Sequence, residues 1–300
     1  MLSTIVCTHN PRIDYFQQCL DALRQQTLAL NCWELVVVDN RSHEPLADRI
    51  DLSWHPGAHI LREHSLGLTS ARLRGIREST GELLVFVDDD NVLDVDFLEI
   101  ALHTMKERPF LGSWSGQCRP AFEEPPPEWT RRYWGNLVIR EFDHDAWSNL
   151  PRLPESMPCG AGLCVKRHVA QHYLDLHESG KRSFQFDRNG KSLLSGGDND
   201  LAACACDVGL GVGLIASLKL THLISPERLT EEYLVRLSEG IFFSAVVLDY
   251  FRSPVEELAS YKVRWHELVR ALLARGPHRK IQLACLRGRR RGLELVASLN

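Results

Sequence analysis

The stretch GELLVFVDDDN, residues 81–91, limits what this chain can fold into more than any other. Leu83, Leu84, Val85, Phe86 and Val87 form an unbroken apolar run, the pattern of a strand buried on both faces. It ends in three consecutive carboxylates, Asp88, Asp89 and Asp90. In open α/β sheets ligands bind beyond the carboxyl ends of the strands, so acids at that edge are placed for a ligand rather than for packing. Crowded carboxylates repel one another and hold protons unless a cation neutralises them, and an all-oxygen cluster suits a hard ion such as Mg²⁺ or Mn²⁺. A divalent metal at a strand end is the first expectation.

The neighbouring sequence supplies a sheet for that strand. Residues 2–7 are a short β-rich run that breaks at Thr8-His9-Asn10-Pro11. A helix follows, with Asp14 as its cap and Phe16, Leu20 and Leu23 on one stripe. Residues 34–38 read as a second buried strand ending at Asp39-Asn40, residues 59–62 as a third, and residues 69–79 as a helix leading into the central strand. Strands alternating with helices imply crossover connections and a mostly parallel sheet. Parallel strands point the same way, so Thr8 and Asn10, Asp39 and Asn40, and Asp88 to Asp90 fall along one polar, acidic edge. The first turn, CTHNPR, has no glycine and so no dinucleotide fingerprint. The later GLGVG, residues 209–213, lacks a following helix and reads as a tight turn or a closely packed strand.

Composition narrows the class. The chain has 300 residues, 44% hydrophobic, enough for one sizeable core plus an appendage or for two small domains. A formal charge of -4 argues against a general nucleic-acid binder, whose affinity rests on phosphate contacts. The start, MLSTIVCTHN, lacks the basic region and long apolar stretch of a secretory signal, and no apolar run has the length of a membrane span. The expectation is a cytoplasmic protein. Nine cysteines without a C-x-x-C pair read as reduced, mostly core thiols, and the spacing of Cys159/Cys164 with Cys204/Cys206 is unusual for zinc.

Beyond a helix at 95–107 and a strand at 110–118, residues 119–158 are rich in proline and aromatics, among them Trp129, Tyr133, Trp134, Trp147, Pro151 and Pro154. This is the composition of a long loop region whose tryptophans either stack on sugar rings or cover the sheet edge. CGAGLCV, residues 159–165, leaves little side chain between the backbone and whatever approaches it. A helix at 167–178 comes next. In SGGDNDLAACACDVG glycines precede Asp198 and Asp200 at the start of another helical pattern, where a plain N-cap is the simplest role for Asp198. Residues 217–222 read as a strand ending in His222. From about residue 230 the pattern is helical only and ends in a basic run that includes Arg279, Lys280, Arg287, Arg289, Arg290 and Arg291. A solvated helix face is the default reading of that run, and peripheral contact with anionic headgroups at the inner face of a membrane the functional one.

The order of these features resembles that of glycosyltransferase family 2. TIVCTHNPR is similar to the family's opening segment, ELVVVDNRS to its second-strand segment, LGLTSARLRGIRESTGELLVFVDDDN to its A-R-N and D-x-D block, GAGLCVKR to its acceptor-side segment and GGDNDL to its E-D-x-D-L motif. The resemblance runs from residue 2 to about residue 245. It implies an α/β GT-A fold, a Rossmann-like, mostly parallel sheet flanked by helices, with a catalytic domain at 1–225 and a C-terminal helical extension at 226–300. It also implies an inverting transfer of a sugar from a nucleotide-sugar donor to a glycan, lipid-linked or small-molecule acceptor, with Mn²⁺ or Mg²⁺ as cofactor.

Carried over residue by residue, Thr8, Asn10, Asp39, Arg72, Asp88 and Asp89 match donor-binding positions, with Asp39 towards the base and Asp88 towards the ribose. Asp90 and His222 match metal or diphosphate positions. Asp198 matches the general base, with Asp200 beside it, and Arg228 assists near the diphosphate. Three positions depart from the pattern: Pro11-Arg12 in the first turn, Leu73 for the asparagine of A-R-N, and Gly197 for the glutamate of E-D, which puts the weight on Asp198 alone. Two rivals stand beside this reading. A metal-dependent nucleotidyltransferase would carry a glycine- and lysine-rich phosphate segment, and none is visible. An EF-hand-like module would need a ligand and a glycine where Val92 and Leu93 stand.

Overall fold

The computed structural model describes residues 1–151, 153, 155–184, 186–188, 193–252 and 261–299, so that Pro154 of the proline-rich region lies outside the described residues. The chain forms two compact units, one made of residues 1–121, 138–183 and 198–224, the other of residues 122–137, 184–197 and 225–300.

In the first unit β1 (Leu2–Thr8) leads into α1 (Ile13–Arg24), β2 (Trp33–Asn40) and β3 (Ala58–Glu63), then α2 (Leu68–Glu78) and β4 (Leu83–Asp88). These strands make the parallel block β3-β2-β1-β4 expected from the alternation. The short β5 (Asn91–Leu93), α3 (Phe97–Glu107), β6 (Leu111–Phe122), β7 (Ala146–Ser148), β8 (Leu163–Lys166), α4 (Arg167–Glu178), α5 (Gly197–Asp207) and β9 (Gly211–Ile224) complete it. Past β4 the sheet continues through antiparallel partners, β8 on β4 and on β6, with β5 and β7 both on β9. The GLGVG segment is a turn at Gly209 (φ 79°) followed by the first residues of β9.

The apolar run of β4 divides by period two. Leu83, Val85 and Val87 pack with Phe16, Leu20, Leu23, Phe97 and Leu98 of α1 and α3 on one face. Leu84 and Phe86 pack with Ala71, Ile76, Val169, Tyr173 and Leu201 of α2, α4 and α5 on the other. Because both faces are covered by helices, the strand tolerates no polar residue until its end, where the carboxylates begin.

Local details differ from the sequence reading in two places. Asp14, the expected cap of α1, lies in the helix's first turn; Arg12 holds the cap position and pairs with it, and a carboxylate there meets the positive end of the helix without capping it. The third helix starts at Phe97 because residues 91–93 are drawn into the sheet by β9. All nine cysteines are free thiols, most of them buried.

The second unit contains a 3₁₀ helix (Glu128–Leu137), α6 (Glu231–Arg252), α7 (Trp265–Leu273) and α8 (Gly276–Leu299). Val246 of α6 and Val296 of α8 are buried together. The basic run on α8 is largely paired: Arg287 and Arg291 with Glu239, Lys280 with Glu231, Arg289 with Glu267 and Arg290 with Glu294. Among the described residues no helix is long and apolar enough to cross a membrane.

Candidate active site

The parallel register builds the acidic edge. Thr8 lies opposite Asp39, and Cys7 opposite Asp88, so the carboxyl ends of β1, β2 and β4 stop within two residues of one another. Thr8 is buried and its hydroxyl donates to Asp89 Oδ2. Asn10 takes a left-handed conformation (φ 50°), one that asparagine tolerates better than most residues. Its N–H donates to Ser42 Oγ at 2.9 Å and its Oδ1 accepts from the N–H of His43 at 2.9 Å, which ties the first turn to the loop after β2.

Asp39 is buried, and its charge is answered locally. Ser42 N–H donates to Oδ1 at 2.8 Å and Arg62 Nη1 to Oδ2 at 2.9 Å. Arg62, at the end of β3, also donates to the Ser42 carbonyl at 2.8 Å. The sequence reading missed Arg62. The parallel pairing of Asp39 with Arg62 was the signal that could have found it. Asn40 spends its amide on Ser65 O and Gly67 N–H, holding the entry to α2.

At the tip beyond β4, Asp90 Oδ2 lies 3.3 Å from His222 Nε2. Pairing of β5 with β9 makes this contact: Asn91 is opposite His222, and Leu223 N–H donates to Asp90 O at 2.9 Å. The same pairing sets Val92 and Leu93 against Thr221 and Leu220, so this segment is strand and not a calcium-binding loop. Beneath the tip, burial first and then the charges of Asp89, Asp90 and Asp88 push the Cys19 thiol well above its ordinary range. Three carboxylates therefore concentrate negative potential at this point. Two ligands held about 2.1 Å from an octahedral cation at right angles lie about 3 Å apart, so the spacing of Asp90 and His222 and their oxygen and nitrogen donors fit a divalent ion of the Mg²⁺ or Mn²⁺ kind.

The start of α5 forms the other part. Asp198 Oδ2 accepts from Gly160 N–H at 2.7 Å and its Oδ1 from Asn199 N–H at 2.9 Å, so Asp198 reaches across to the small-residue segment before β8 and is more than a local cap. A Cβ on Gly160 would lie 2.9 Å from Arg72 Nη2 and 3.0 Å from Asp198 Oδ2. Arg72, buried on α2, and Asp198 thus converge on one glycine. Gly160 is the second site residue that the sequence reading left unassigned, although its small-residue setting pointed to it.

Asp200 goes elsewhere. It is fully buried, and Arg182 Nε donates to both its oxygens, at 3.0 and 3.3 Å. Gly197 has a physical reason to depart from the glutamate of the motif: a Cβ there would fall 2.1 Å from the carboxylate of Asp187, itself buried. Asp187 occupies the space a glutamate would need. Elsewhere on this unit Trp147 is exposed and packs on Phe110, whereas Trp134, in the other unit, packs on Phe122.

Comparison with known proteins gives a consistent result. The family model described as glycosyl transferase family 2 matches residues 3–162, more than half of the chain. Glycosyltransferase AglE of Haloferax volcanii is 28% identical over 107 residues, which is 35% of this chain and 35% of that protein. An uncharacterised glycosyltransferase of Haemophilus influenzae is 31% identical over 109 residues, 36% of each chain. The match thus spans about a third of the length of these curated relatives. Among solved structures, the mannosyltransferase PcManGT from Pyrobaculum calidifontis in complex with GDP-Man and Mn²⁺ has a TM-score of 0.56 at 19% identity, covering 100% of this chain and 75% of that one. S. aureus TarS 1-349 in complex with UDP-GlcNAc has a TM-score of 0.55 at 16% identity, covering 89% and 77%. At these identities the structural likeness establishes the fold.

Proposed function

We propose, for a chain that belongs to glycosyltransferase family 2 and carries its GT-A fold, an inverting transfer of a sugar from a nucleoside-diphosphate donor to an acceptor hydroxyl. The observation that carries this reading is the shared carboxyl edge, where Thr8 and Asp39 stand level, Asp88 ends its strand one residue short of them, and Asp90 lies 3.3 Å from His222. The neighbours that bind UDP-GlcNAc and GDP-Man support a nucleotide-sugar donor as the substrate class.

The residues divide the work by position. Thr8, Asn10, Asp39 and Asp88 line the edge that receives the nucleoside, with Asp39 held in place by Arg62 and Asp89 by Thr8. Asp90 and His222 would hold a divalent ion, which when bound supplies positive charge against the negative charge that develops on the departing diphosphate. Asp198 is the general base. It takes the proton of the acceptor hydroxyl as that oxygen bonds to the anomeric carbon, while the bond from that carbon to the diphosphate oxygen breaks and the nucleoside diphosphate leaves with the electron pair. Gly160 N–H orients Asp198 from the side of β8, and Arg72, beside the same glycine, faces the donor. Asp200, bound to Arg182 in the interior, braces α5 under the base. The acceptor belongs to the hydroxyl-bearing class of glycans, lipid-linked glycans or small molecules, in glycan or glycoconjugate assembly.

The test is a thermal-shift panel of nucleoside diphosphates with and without Mn²⁺. One base should raise the melting temperature in a cation-dependent way, by the equivalent of about 2.7 kcal/mol at a hundredfold excess over its dissociation constant. No cation-dependent shift with any base overturns the reading. Release of pyrophosphate in place of nucleoside diphosphate turns it into a nucleotidyltransferase.

A further inference from the structure

We propose that the outer face of α7 is a docking surface for a bilayer that carries anionic lipid. The inference rests on the second unit alone and does not depend on the transfer reading.

Helix α7 has an apolar stripe turned to the outside. Trp265, Leu268, Val269, Leu272 and Leu273 fall at i, i+3, i+4, i+7 and i+8, the spacing of a single helix face. Each is exposed, Trp265 by 77% and Leu273 by 76%, and Ala271 is the buried residue of the helix. Helices in water-soluble units turn such a stripe inward, so an outward one of this width marks an interaction surface. The opposite edge of the helix is what holds it down. Glu267 accepts from Arg264 N–H at 2.9 Å and pairs with Arg289 of α8 at 2.9 Å, which leaves the apolar face pointing away from those anchors.

Charge decides what covers the stripe. Residues 261–275 contain four basic side chains, Lys262, Arg264, Arg270 and Arg275, all exposed, against one acid, Glu267, which Arg289 already neutralises. An apolar helix face that opens on a tryptophan, with basic residues just before and just after it in the chain, is the composition of an interfacial helix on an anionic membrane. A second copy of the same face would bring like charges together across a two-fold axis, which disfavours self-association through it. The basic run of α8, the obvious candidate from sequence, is largely paired with Glu231, Glu239, Glu267 and Glu294, exposed Arg279 at its start excepted. The cations that flank the apolar stripe in the chain are those of the α7 segment.

Sedimentation of the full chain with vesicles of phosphatidylcholine, with and without phosphatidylglycerol, tests this. Binding should appear with phosphatidylglycerol, weaken in high salt, and fall by about tenfold or more in the Trp265→Ser/Leu273→Ser variant with its melting temperature unchanged. Leu273→Ser alone should lower it by about threefold. Arg287→Gln/Arg291→Gln, in which the paired arginines of α8 are removed, should bind within about twofold of the parent. The proposal is overturned by an absence of sedimentation with anionic vesicles, by a double variant that binds like the parent, or by a loss that follows the α8 variant instead. A concentration-dependent dimer that Leu273→Ser abolishes, in a chain that ignores vesicles, assigns the face to a second copy and overturns it equally.

Discussion

Two regions of the first unit carry aspartates in quick succession, the strand end at 88–90 and the helix start at 198–200, and they use them in opposite ways. After β4 the carboxylates stay together at one tip, with Thr8 on Asp89 and His222 on Asp90, and their joint charge reaches Cys19 below. On α5, Asp198 and Asp200 stand about 200° apart around the helix axis because each residue turns it by about 100°. One therefore faces Gly160 and Arg72 while the other enters the core and meets Arg182. Consecutive acids beyond a strand gather charge, whereas acids two apart on a helix divide it between a site and the interior.

The largest test of that division is Asp198→Asn. A general base contributes about 10²–10⁴ in rate, so turnover should fall by that factor while nucleotide affinity and melting temperature hold. Asp90→Asn should lower both turnover and cation-dependent nucleotide affinity. An Asp198→Asn enzyme with parental kcat removes the proton-transfer role and leaves the two regions alike. On the interior side, Arg182→Met removes the guanidinium that pairs with the buried Asp200 and should cost about 3–5 kcal/mol of stability, read by chemical denaturation. A variant as stable as the parent would mean that Asp200 is not a brace.

Sequence and structure agree where hydrophobic periodicity is strong. The parallel block, the helix Arg167–Glu178 and the strand ending near His222 lie where the pattern puts them, because buried apolar runs in a sheet covered by helices on both faces leave few alternatives. Clustering at the edge followed from strand direction alone. What pattern does not carry is the identity of the partners. Arg62 on Asp39, Arg182 on Asp200 and Asp187 against Gly197 join residues far apart in the chain through loops that have no period. Strand β5 is three residues long, too short for alternation to register, and pairing with β9 makes it. The helical period of the C-terminal residues announced helices but not the direction of their faces, since the glutamates that absorb the arginines of α8 sit as far off as α6.

A smaller effect is expected at the point where Arg72 and Asp198 converge. In Gly160→Ala the new methyl meets the far end of Arg72, the Asp198 carboxylate and, at 3.2 Å, the Asp198 Cβ, so the start of α5 must give by a few tenths of an ångström and the fold should lose a modest part of its stability. The proposed base, however, leaves its position. A displacement of about 1 Å at a reacting group can cost about 10² in rate, and kcat should fall by roughly that much with KM for the donor little changed. Loss of stability without loss of kcat would place Gly160 among packing residues and weaken the case that this helix start differs in kind from the strand tip.

The smallest effect belongs to a carboxylate in a third setting, Glu267 in the first turn of α7. Its pKa is held below the usual glutamate range, first by the Arg264 N–H, against the opposing effect of burial, and then by Arg289. A carboxylate whose folded pKa is depressed adds stability that is full above its unfolded value and disappears as the pH falls through the lowered one. Glu267→Gln should therefore cost about 0.5 kcal/mol at neutral pH, where solvent screens most of the pair, and the difference from the parent should shrink to nothing in acid. Melting curves of the two proteins from neutral pH into the acid range measure it. A gap that persists at low pH would show that hydrogen bonding of the neutral side chain, and not its charge, holds the polar edge of α7, and the contrast between charged tips and buried braces would then not extend to the helices of the second unit.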